Sequence, residues 1–164
     1  MKKFYYLMMA MLMAMTTLSL TACGDENEED GPNGGGGDIV GTWKANLANT
    51  IDEEDADYIE KAEALIQFKK GGKYVSVTII HYTKKGLEEI RQYEPNFKNP
   101  EVFPEDGEYS VNGNRLTTID SEGERDESTF SISGKKLTIT YIEDGQEVKT
   151  TFTRVDDKEI NKYL

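Results

Sequence analysis

The sequence predicts an all-β domain: an eight-stranded antiparallel up-and-down barrel with a short helix between strands 1 and 2. Two observations carry that expectation. Tyr109-Ser-Val-Asn-Gly113-Asn-Arg-Leu116-Thr and Phe130-Ser-Ile-Ser-Gly134-Lys-Lys-Leu137-Thr match in role at all nine positions. Each alternates an aromatic and an aliphatic residue onto one face, then turns at a Gly that supplies the positive φ of a tight hairpin. Another hairpin follows through Glu143-Asp144-Gly145-Gln146, so residues 107–155 read as a five-stranded meander. All six Met lie at positions 1–15, so the rest of the chain builds its core without Met. A β-sandwich is the alternative packing of the same strands.

In chain order, residues 1–22 read as an export signal: Lys2 and Lys3 make a basic start, and Phe4 to Leu20 form an apolar run of 17 residues, short for a bilayer span. Residues 23–37 follow as a tether, acidic from Asp25 to Asp30 and then Gly-rich, a composition that cannot build a core. The barrel is assigned to residues 38–156 and a C-terminal tail to residues 157–164. Residues 39–45 are a short first strand carrying Gly41, Thr42 and Trp43. Thr50 and Glu53 have capping-box spacing, and Ile51, Ile59 and Ala62 share a helical face, so a helix is expected over about 51–64. Residues 65–69 and 73–83 form a hairpin around Gly71 and Gly72. Residues 84–106 read as a long insertion. Leu87, Ile90 and Tyr93 share helical spacing there, before Pro95, Pro100 and Pro104 argue against further regular structure.

Composition excludes several functions. With 31 acidic against 19 basic residues and a net charge of −12, the chain lacks the clustered cations that nucleic-acid phosphates require. One Cys and one His leave no disulfide framework and no zinc cluster, and no metal or cofactor is expected. A serine hydrolase would have to rely on His81, and no Gly-x-Ser-x-Gly elbow is present. The acidic run 52–57 lacks the spacing of an EF-hand loop and suits the start of a helix instead. Nothing in the chain selects an enzyme.

Two resemblances give the chain a location and a family. Leu20-Thr21-Ala22-Cys23-Gly24 resembles the lipobox of bacterial lipoproteins. It implies cleavage before Cys23 and acylation of that residue, which anchors the protein stably in a membrane. The acidic run after Cys23 resembles the surface-export signal of Bacteroidota lipoproteins. That implies an outer-membrane anchor facing the medium, with the periplasmic face as the alternative. Gly41-Thr42-Trp43 on the first strand, with a meander ending in Thr151-Phe152-Thr153-Arg154, resembles the lipocalin-like domains of Bacteroidota lipoproteins over about residues 39–155. The resemblance implies structural roles for Trp43, packed at the closed end, and Arg154, crossing over it as a cation–π contact. The insertion at 84–106 is a departure from that pattern.

In an up-and-down barrel successive connections alternate between the two ends. The tight Gly turns then seal one end, and the long connections frame a mouth at the other. Lys69, Lys70, Lys73, Arg115, Lys135 and Lys136 flank the tight turns, while the long connections are acidic. An acidic mouth favours a small neutral or cationic ligand over an anion. On residues 73–83, Tyr74, Ser76, Thr78, Ile80 and Tyr82 share one face, and Val75, Val77, Ile79 and His81 the other. The first face suits a mixed polar and aromatic lining, or solvent. Tyr141 is read as either lining or core beside Leu137 and Ile139. Tyr74, Ser76, Thr78, Tyr82 and Tyr141 are therefore the candidate ligand-binding residues. The function expected is a membrane-anchored lipoprotein that binds a small ligand in its barrel. The alternative is an envelope interaction module with a filled barrel, its protein partner met by exposed Phe97, Val102 and Phe103.

Overall fold

Gly113 and Gly134 adopt φ of +63° and +59°, and each closes a two-residue hairpin between strands that alternate core and surface side chains. The same alternation runs around the whole domain. The computed structural model describes residues 38–164 except Asp52 and Asp144. Its strands are β1 (Gly41–Asn46), β2 (Ile59–Lys69), β3 (Lys73–Tyr82), β4 (Glu101–Asn112), β5 (Arg115–Asp120), β6 (Arg125–Ser133), β7 (Lys136–Glu143) and β8 (Gln146–Val155). Each pairs antiparallel with the next, and β8 returns to β1 through Thr42↔Val155, Trp43↔Arg154 and Lys44↔Thr153. The result is a closed eight-stranded barrel, not a sandwich.

The inner face gathers Trp43, Ala45, Phe68, Tyr74, Leu116, Phe130, Leu137 and Phe152 into one core cluster near the tight turns. That end is closed. The opposite end carries the long connections 47–58 and 83–100 and the turn 121–124.

Three local expectations are corrected. The short helix between β1 and β2 is a single 3-10 turn, Ala48–Thr50, and the helical span expected over 51–64 is not formed. Residues 59–64 instead begin β2, which pairs with β1 through Asn46↔Glu63 and with β3 through Ala62↔Ile80. Pairing with β3 along the stretch, and with β1 at Glu63 and Ala64, outweighs the helix preference of Glu, Lys and Ala there. The α-helix of the domain, α1 (Lys84–Ile90), lies in the insertion, where the Thr83 hydroxyl accepts from the Gly86 N–H at 3.1 Å as its N-cap. Pro104 does not end regular structure either. It sits in β4 opposite Val77, on the stretch of that strand not yet paired with β5, where a missing N–H is tolerated.

Residues 157–164 do not trail away as a tail. Ile160 is fully buried on the outer wall against Leu65, Val77 and Ile79, with Tyr163 beside it. The Thr42 hydroxyl donates to Asp157 at 2.7 Å, pinning the segment to β1.

Candidate functional site

Cross-strand register decides which side chains share the lumen. Phe68 pairs with Tyr74, Tyr74 with Gly107, and Gly107 with Asp120. Ser76 pairs with Glu105, Thr78 with Phe103, and Thr118 with Asp126. Paired residues point to the same face, so Glu105, Asp120 and Asp126 share the inner surface with the core residues Phe68 and Tyr74. The outward residues between them, Pro104, Asp106 and Glu108, are exposed, whereas Glu105 and Gly107 are half-buried.

Tyr74 is the hinge between the apolar and the acidic parts of the lumen. Its ring lies against Gly107, where an added Cβ would come within 2.8 Å of the ring and 2.1 Å of the Ile119 carbonyl. Only Gly gives the ring that room. The Tyr74 hydroxyl donates to Glu105 at 2.5 Å. Burial, the bond to Glu105 and the charges of Asp120 and Asp126 all raise its pKa beyond the ordinary tyrosine range. The Asp126 carboxyl is likewise pushed up, first by burial and then by Glu105, Asp120 and Glu124. Asp126 and its acidic neighbours thus form one field of like charge.

No Lys or Arg on the inner face of the described strands answers that field near Asp126. Among the described strand residues, Arg154 is the one Lys or Arg on the inner face, and it is committed to the closed end. Its guanidinium lies 4.2 Å over the Trp43 ring and donates to the Val40 and Asp38 carbonyls, each at 3.0 Å. Trp43 is fully buried and donates its indole N–H to the Ile39 carbonyl at 2.8 Å.

The other candidates fall as follows. Tyr74, Ser76, Thr78 and Tyr82 line one inner face of β3, and Ile80 with them is buried. Tyr82 donates to Glu101 at 2.5 Å and meets Phe97 edge-on at 5.5 Å, which ties the insertion to the rim. Tyr141 stands on β7, on the opposite wall, paired with Val148. Its hydroxyl is buried without a well-formed hydrogen bond, with Thr150 alongside, and burial and Glu143 push its pKa up. Cys23 lies outside the described residues. His81 points outward, where Glu63 bridges Lys44 and Lys61 at 2.8 Å each, with His81 Nε2 at 4.0 Å. Burial pushes the Glu63 carboxyl up, but bonds from the two lysines outweigh it and hold the pKa below the usual range.

Glu105, Asp120 and Asp126 were not singled out from sequence. Their signal is the alternation through Glu105, Gly107 and Tyr109, which becomes readable only once β4 is known to extend through Pro104.

A family model described as the lipocalin-like domain matches residues 39–139. No curated protein matches the chain. Among solved structures, the chain is similar to the Cpx pathway activator NlpE from Escherichia coli, at 17% identity and a TM-score of 0.40, covering 60% of this chain and 40% of that one. It therefore spans less than half of the NlpE chain. It is also similar to secretory abundant heat soluble protein 4 from Ramazzottius varieornatus, at 15% identity and a TM-score of 0.36, covering 71% of this chain and 94% of that one. The wild-type fluorescent protein UnaG is similar at 16% identity and a TM-score of 0.35, over 71% of this chain and 97% of that one. Among the described residues, no helix is long and apolar enough to cross a membrane.

Proposed function

This chain belongs to the lipocalin-like domain family, and from that premise we propose that it is a lipid-anchored envelope lipoprotein that binds a small neutral or cationic ligand inside its barrel, at the acidic mouth. Cys23 is the attachment site, the outer membrane the location, and the cell surface the favoured face. The observation that carries the ligand reading is the inward set Glu105, Asp120 and Asp126, which no Lys or Arg on the inner face of the described strands neutralises. Holding like charges together in a partly buried wall costs stability, and a positively charged or strongly hydrogen-bonding ligand relieves that cost. An anion entering the same mouth meets repulsion from each carboxylate.

The alternative of an interaction module with a filled barrel asks for exposed Phe97, Val102 and Phe103. All three are half-buried: Phe97 against Tyr82, Val102 in the outer cluster and Phe103 across from Thr78. That favours the ligand reading.

Native mass spectrometry of the protein purified from its own host tests it. A retained small molecule that is neutral or cationic, released on denaturation, is the expected result. A retained anion, or no retained mass together with unchanged Trp43 and Tyr fluorescence across a panel of amines and neutral metabolites, would overturn it.

A further inference from the structure

We propose that the closed end of the barrel is a docking surface for an anionic lipid membrane, so that the protein stands on its lysines with its mouth turned away from the bilayer. This rests on the lipid anchor at Cys23 proposed above. Three features of the closed end converge on it. First, the three tight turns 70–72, 113–114 and 134–135 all lie there, and the C-terminal residues that leave β8 at the same end, with exposed Asp156 and Asp157, fold back along the outer wall through Ile160. Second, those turns carry Lys69, Lys70, Arg115, Lys135 and Lys136, all exposed. Lys69, Lys70, Lys135 and Lys136 form no ion pair among the described residues, whereas Lys73 at the same end is matched to Glu108. Because β2–β3 and β6–β7 lie on opposite sides of the barrel, these four lysines bracket the rim rather than crowd one edge.

Third, the chain joins the barrel at this end. Asp38 is held by Arg154 through its carbonyl; burial, and then the Asp38 charge, raise the pKa of Tyr109, whose hydroxyl donates to the Lys69 carbonyl at 3.0 Å. Residues 23–37 precede Asp38 in the chain and so join the barrel beside the lysine rim. The rim is therefore the part of the barrel nearest in the chain to the proposed anchor. Each lysine near an anionic surface adds about fivefold to the attraction, and the inward carboxylates at the other end disfavour the inverted pose.

The test uses the full lipidated protein in vesicles of phosphatidylcholine, with or without phosphatidylglycerol, doped with a dansyl-headgroup lipid. Trp43 is the sole Trp of the chain and sits at the closed end, so it is a built-in donor. Energy transfer is expected to be higher on the phosphatidylglycerol vesicles and to fall with added salt. It should return to the neutral-vesicle level in the variant Lys69→Gln, Lys70→Gln, Lys135→Gln, Lys136→Gln, with an unchanged far-UV spectrum. Equal transfer on both vesicles, or transfer indifferent to the four substitutions, overturns the docking surface while leaving the anchor standing. Flotation is read separately: protein that does not float with either vesicle overturns the anchor, and the orientation with it.

Discussion

Trp43, Phe68 and Leu137 at the closed end of the lumen are at most 1% exposed, and the one cation among them is stacked and hydrogen-bonded. Toward the mouth, the neighbouring inner positions of β4, β5 and β6 hold Glu105, Asp120 and Asp126, half-buried and mutually repelling. The closed half is satisfied by its own residues; in the open half Glu105 and Asp120 accept from the Tyr74 hydroxyl and from the Glu122 and Glu124 N–H groups, but no Lys or Arg on the inner face of the described strands supplies a counter-charge. Stability is therefore concentrated at one end and functional potential at the other, and substitutions at the two ends should differ in sign as well as size.

The largest effect is expected at the closed end. Trp43→Ala removes a fully buried indole and the platform beneath Arg154, and should cost about 4 kcal/mol in urea unfolding followed by far-UV circular dichroism. A loss below about 1 kcal/mol would mean that the closed end does not carry the fold. Arg154→Met keeps much of the packing but loses the cation–π contact and the bonds to Val40 and Asp38. A smaller cost of about 2 kcal/mol follows, together with a shift in Trp43 emission.

The two halves also differ in how readable they are from sequence. The hairpins over residues 107–155 were legible because their Gly turns and alternation agree with the final strands, whereas the first half of β4 was hidden by Pro104. The first half of β2 was not legible, because Glu60, Lys61, Ala62, Glu63 and Ala64 are good helix formers, and only pairing with β3, and with β1 from Glu63 on, makes them a strand. The inner face of β3 was ambiguous for a related reason: both of its faces are covered, one by the lumen and the other by Ile160 and its neighbours. The carboxylates were hidden in an acidic chain where any pair of acids could be nominated. Register alone separates Glu105 from Asp106.

At the open end the sign reverses. Asp126→Asn removes one member of a repelling set and should raise stability at neutral pH by about 0.5 kcal/mol, allowing for solvent screening. The folded Asp126 carboxyl keeps its proton to higher pH than the unfolded one. The native protein therefore loses stability as pH rises from the ordinary value of 3.8 through the raised native value, and Asn should flatten that slope. Glu63 on the outer wall behaves oppositely. Its contribution is complete above the ordinary 4.5 and is lost as pH falls through its lowered native value, so Glu63→Gln should flatten the acid limb instead. Thermal midpoints across the acid range would separate the two, and an Asp126→Asn variant that loses stability at neutral pH would contradict the view of the mouth as uncompensated.

The smallest stability effect, and the sharpest division between the two ends, is expected at Tyr141. Its buried hydroxyl makes no well-formed bond, so Tyr141→Phe gives up little and should shift stability by no more than about 0.5 kcal/mol in either direction. Tyr74→Phe, by contrast, strips Glu105 of its hydroxyl donor and should destabilise by about 1 kcal/mol or more. Ligand binding should reverse that ranking. A ligand that hydrogen-bonds to the Tyr141 hydroxyl loses its partner in Tyr141→Phe, and titration calorimetry should show about tenfold weaker binding against near-wild-type stability. If affinity and stability instead move together at Tyr141, its hydroxyl belongs to the packed end of the barrel, and the boundary between the two halves lies nearer the mouth than the carboxylates mark it.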